Sequence, residues 1–106
     1  MWKDEFDVKC LDYILTSDIL TDAEKICIED STLSRTFCEE CDNRVCEQGF
    51  TTVEWENPVT CMEIKMTVSH MRYTAGISIT TKAYLKMILL EVVDGEIRHS
   101  VQYSTI

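Results

Sequence analysis

The most reactive side chains of this chain are six cysteines, at positions 10, 27, 38, 41, 46 and 61, and two histidines, at 70 and 99. Cys38-x-x-Cys41, with Cys46 five residues on, is the sharpest local pattern. A Cys-x-x-Cys pair holds two corners of a tetrahedral zinc site, and Cys46 would add a third, leaving the fourth to His70, His99 or another thiol. No second pair at zinc-finger spacing follows, so the metal reading rests on Cys38, Cys41 and Cys46 alone. The competing reading treats these thiols as small hydrophobes: on a helix, Cys38 and Cys41 share a face with Leu33, Phe37 and Val45. Disulfide or redox use ranks third, because a thioredoxin-like motif belongs between a strand and a helix of a βαβ unit and none precedes Cys38.

Other chemistries have less to build on. A thiol-dependent enzyme needs a cysteine activated by a base, which one of the two histidines would have to supply in space. Both histidines fall in or beside strand-like segments at positions that face water. The three glycines, at 49, 76 and 95, are too far apart to form a phosphate-cradling loop or a dinucleotide fingerprint. Carboxylates are abundant, but no two are set apart as an acid and base pair.

Charge narrows the partners. Nineteen Asp and Glu against ten Lys and Arg give a net charge of -9, which repels a phosphate backbone. The charge is unevenly spread: residues 1–49 hold 13 acids and 5 bases, whereas residues 50–106 hold 6 acids and 5 bases. An acidic surface of this kind suits a basic surface on another protein, with Asp4, Glu5, Asp7, Asp12, Glu39, Glu40 and Asp42 as the candidate contact set. A merely solvated face is the plain alternative. Neither a targeting segment nor an uninterrupted apolar run long enough for a membrane is present, and cytoplasmic residence with free thiols is the expectation.

These residues have to be positioned by something, and the hydrophobic pattern predicts an α+β fold in a single domain over 1–106, helical over about 4–48 and sheet over about 50–104. Over residues 4–15, Val8, Leu11, Ile14 and Leu15 recur on one helical face. Thr21 with Glu24 makes a capping box, starting a second helix near Asp22 that runs toward Glu29. Leu33, Phe37, Cys41 and Val45 recur at intervals of four and predict a third helix ending at Gly49. Thereafter the period becomes two. Strands are expected over Phe50–Glu56, 61–69, a segment carrying Tyr73, Ala75, Ile77 and Ile79, Leu85–Val93, and a return strand joined by the turn-forming Asp94-Gly95. The sum is about three helices packed on one face of an antiparallel meander of about five strands.

The functional expectation is a small, non-enzymatic, acidic protein-binding domain. Its size and charge suit a viral or phage inhibitor that engages a host nucleic-acid-handling or defence protein through its acidic helices, without touching nucleic acid itself. The alternatives are a zinc-stabilised module organised by Cys38, Cys41 and Cys46, and a thiol-dependent enzyme. The final strand, 96–103, offers an edge on which a second chain could pair, so a dimer stays open.

Overall fold

The computed structural model describes residues 6–30, 34–37, 50–69 and 71–105. Two helices, α1 (Phe6–Thr16) and α2 (Asp22–Asp30), precede six strands: β1 (Ser34–Phe37), β2 (Phe50–Asn57), β3 (Met62–Ser69), β4 (Thr74–Thr80), β5 (Tyr84–Val93) and β6 (Glu96–Thr105). The strands form one antiparallel sheet in the order β1-β2-β3-β4-β5-β6, so every strand lies beside its neighbour in sequence.

Alternation decides which face of the sheet is covered. Met62, Ile64, Met66 and Val68 of β3 are buried while Glu63 and Lys65 between them are exposed. Register carries that alternation across the strands: Val53 and Trp55 of β2 lie opposite Met66 and Ile64, and Ile77 and Ile79 of β4 lie on their other side. Ile88 and Leu90 of β5 continue the same row against Ile77 and Ala75. The two helices supply the other half of this core through Phe6, Cys10, Ile14, Cys27 and Ile28. Burial of this contiguous apolar set is the main force holding the layers together. The α+β class and the helix-on-sheet layering therefore follow the hydrophobic pattern.

Three details differ from the pattern. Within the segment expected to form a third helix, Ser34–Phe37 is instead the strand β1, which pairs antiparallel with Thr51 to Glu54 of β2, the rest of that segment lying outside the described residues; among the described residues the sheet has six strands against the expected about five. An apolar spacing of four is even, so it satisfies one face of a strand as well as a helix, and Arg35-Thr36-Phe37 contains residues that favour the pleated conformation. On α1, the buried row is Phe6, Cys10 and Ile14, spaced by four, whereas Val8 is 56% exposed. Cys10 serves there as an apolar residue, and that is what shifts the face. Gly76, where a glycine would ordinarily mark a break in the chain, lies within β4.

The connections show their local chemistry. Asn57 Oδ1 accepts hydrogen bonds from the Val59 and Thr60 amides, closing the turn at Pro58 between β2 and β3. Thr81 Oγ1 accepts from the Ala83 and Tyr84 amides between β4 and β5. Asp94 and Gly95 both adopt the left-handed conformation, at φ of 53° and 79°, as a tight two-residue hairpin requires.

Candidate functional site

The capping box that starts α2 also forms the centre of a buried polar cluster. The Thr21 amide donates to Glu24 Oε1 at 2.9 Å, and the Glu24 amide donates to Thr21 Oγ1 at 3.2 Å. From the sheet, the Tyr84 hydroxyl donates to Glu24 Oε2 at 2.6 Å, and Lys86 Nζ donates to Glu24 Oε1 at 2.9 Å. Lys86 also donates to the Ile19 carbonyl at 2.6 Å. Lys86 occupies a core-facing position of β5 opposite Ile79, and both it and Glu24 are buried.

The electrostatics follow from those contacts. Burial works to raise the Glu24 carboxyl, but hydrogen bonds from Tyr84, the Thr21 amide and Lys86, together with the Lys86 charge, hold it below the ordinary carboxylate range. The Tyr84 phenol is pushed above its ordinary value, first by burial and then by its bond to Glu24 and that carboxylate's charge. A carboxylate, an ammonium and a phenol in mutual contact are groups an enzyme would use. Here both Glu24 oxygens accept bonds from within the protein, and Glu24 is inaccessible to solvent. The arrangement joins α2 and the preceding turn to β5.

The thiols divide between core and surface. Cys10 and Cys27 are buried, Cys61 is exposed, and all three are free. Burial first, and Asp7 second, push the Cys10 thiol up to about 12, which removes the thiolate that nucleophilic chemistry needs. Cys61 lies in the turn before β3 at φ 56°, with its thiol 3.7 Å from the Pro58 carbonyl. Cys38, Cys41 and Cys46 lie outside the described residues. Among the described residues no group of three His, Cys, Asp or Glu is placed to hold a metal ion. Of the histidines, His99 is exposed on β6, its Nδ1 hydrogen-bonded to the Tyr13 hydroxyl at 2.7 Å; His70 lies outside the described residues.

The acidic contact set is only partly in view. Asp4, Glu5, Glu39, Glu40 and Asp42 lie outside the described residues. Asp12 is exposed on α1. Asp7 is 7% exposed, and its Oδ1 accepts from the Val8 amide within the first turn of α1, so its carboxylate is turned away from solvent. Three further acids of the helical layer are exposed alongside Asp12, namely Asp18, Asp22 and Glu29.

The outer face of the sheet carries a second acidic region that the sequence alone does not assemble. Register sets Glu56 opposite Glu63 and Glu54 opposite Lys65, with a 3.7 Å ion pair between the latter two. These side chains line a shallow groove with Pro58, Ser78 and Thr80. Their spacing by two, Glu54-x-Glu56 and Glu63-x-Lys65, is the only signal, and it becomes legible once the β2–β3 pairing is known.

No protein-family model, curated protein or solved structure matches the chain. No described helix is long and apolar enough to cross a membrane.

Proposed function

We propose that this chain is a small non-enzymatic binding domain that engages a basic surface of another protein through the outward carboxylates of its helical layer. The observation that carries this reading is the division of labour among the acids of that layer. Glu24 is turned inward and fully engaged in the fold, whereas Asp12, Asp18, Asp22 and Glu29 face solvent and form no ion pair among the described residues. Four exposed carboxylates with no ion pair among the described residues leave a negative field available to an incoming cationic surface. An inhibitor that occupies the positively charged groove of a nucleic-acid-handling or defence protein, as a viral or phage antagonist would, is the form of this reading that best suits the charge of -9.

The reading is tested by neutralising the four exposed acids together, as Asp12→Asn, Asp18→Asn, Asp22→Asn and Glu29→Gln. Wild-type and neutralised chains are immobilised, and the proteins each retains at low ionic strength are compared. The partner retained by the wild type should be lost by the neutralised chain, and its affinity should weaken at least about tenfold between low and high salt. A partner bound equally by both chains, or with no salt dependence, would rule out recognition by this surface.

A further inference from the structure

The two edges of the sheet are unequal. At one side β1 is four residues long; at the other β6 runs for ten. The Val92 amide donates to the Tyr73 carbonyl at 3.2 Å, so Val92 directs its backbone groups away from β6. Its partner in register is Ile97, and the alternation of an antiparallel ladder then points the N–H and C=O of Ile97, His99, Val101 and Tyr103 outward. Natural edge strands block pairing with prolines, lysines, bulges or short length. β6 has none of these: it contains neither Pro nor Lys, and its ten residues pair one-to-one with β5. Val101 is 43% exposed and Tyr103 60% exposed.

We propose that this edge pairs with the same edge of a second copy of the chain, in an antiparallel β6-to-β6 contact about a two-fold axis. Charge selects the occupant. A copy of a chain carrying -9 is repelled over most of its surface, but β6 bears one acid and one base, Glu96 and Arg98, both at its turn end, and 99–105 is free of Asp, Glu, Lys and Arg. Two equally acidic molecules therefore meet with least repulsion along this strand. A strongly basic partner finds only one carboxylate on this strand, Glu96, offset by Arg98 two residues on. With the axis through Val101, Val101 faces its own counterpart, Tyr103 faces the second copy's His99, and Arg98 faces the second copy's Ser104, so no like charges meet. The contact is isologous and closed, and it joins two six-stranded sheets into one.

The test is the solution mass of the whole chain, by light scattering or native mass spectrometry, for wild type, Val101→Pro and Val101→Lys. Proline at 101 removes an outward N–H and leaves the β5 ladder intact, and the lysine variant places two like charges on the axis. Wild type should have twice the chain mass of 12.3 kDa, and both variants should be monomers with wild-type far-UV circular dichroism. A wild-type monomer at about 100 μM, open-ended filaments, or a folded Val101→Lys chain that remains a dimer would each overturn the proposal.

Discussion

Glu24 shows how one side chain can serve two levels of structure. Its spacing from Thr21 marks a helix start, and that much is legible in the sequence. Its bonds to Tyr84 and Lys86 are not, because they join residues 60 and 62 positions apart and depend on which face of β5 is turned inward. Lys86 on that face looks like an error of alternation until its partner is known. Removing one member of such a buried pair strands the other charge, so Lys86→Met should destabilise the fold by about 3–5 kcal/mol, whereas the double variant Glu24→Leu/Lys86→Met should cost far less than the sum of the single changes. Chemical denaturation of the four chains measures both. The pH dependence has a definite sign. Glu24 is held below the ordinary range, so its stabilisation is complete above the unfolded value of about 4.3 and is lost as pH falls through the lower folded value. The stability gap between wild type and Glu24→Gln should be wide near pH 7 and narrow near pH 3. The thiols give a further residue-scale prediction: with alkylating reagent under native conditions, Cys61 should be labelled while Cys10 and Cys27 are labelled only after denaturation, as peptide mass mapping will show. Labelling of Cys10 in the folded chain would mean that the α1 face opens readily.

Elements with strong local signals came out close to their expected limits. The capping box predicts a start near Asp22, and α2 spans Asp22–Asp30. The period-two runs place β2 to β6, and Asp94-Gly95 marks the last hairpin because only left-handed residues match the twist of its strands. Replacing Gly95 by Ala puts a Cβ on a φ of 79°, where the strain and not a clash is the penalty, so a loss of about 1 kcal/mol in denaturation experiments is expected. A neutral outcome would show that the turn relaxes to another type. Leu33, Phe37, Cys41 and Val45 carry an apolar spacing compatible with both periods, and the strand conformation of Ser34–Phe37 is decided by the available edge of β2, which is a tertiary fact. The outer-face acids Glu54, Glu56 and Glu63 are dispersed in the sequence for the same reason: each strand shows its alternation, but only pairing brings them together.

For the whole molecule, the order of the strands matters as much as their number. Because β1 to β6 are adjacent in both sequence and space, the sheet can be assembled as a series of neighbouring hairpins, and the entropy lost in closing each loop is small. The helices are in the opposite situation. They come first along the chain, yet Glu24 meets Lys86 only after another 62 residues have been made. At roughly 5–20 residues per second of synthesis, several seconds separate the two events. Until β2 and β3 are made, the apolar face of α2 has no sheet to cover it, and the exposed carboxylates of the helical layer would oppose contact between half-made chains through like-charge repulsion until those strands arrive.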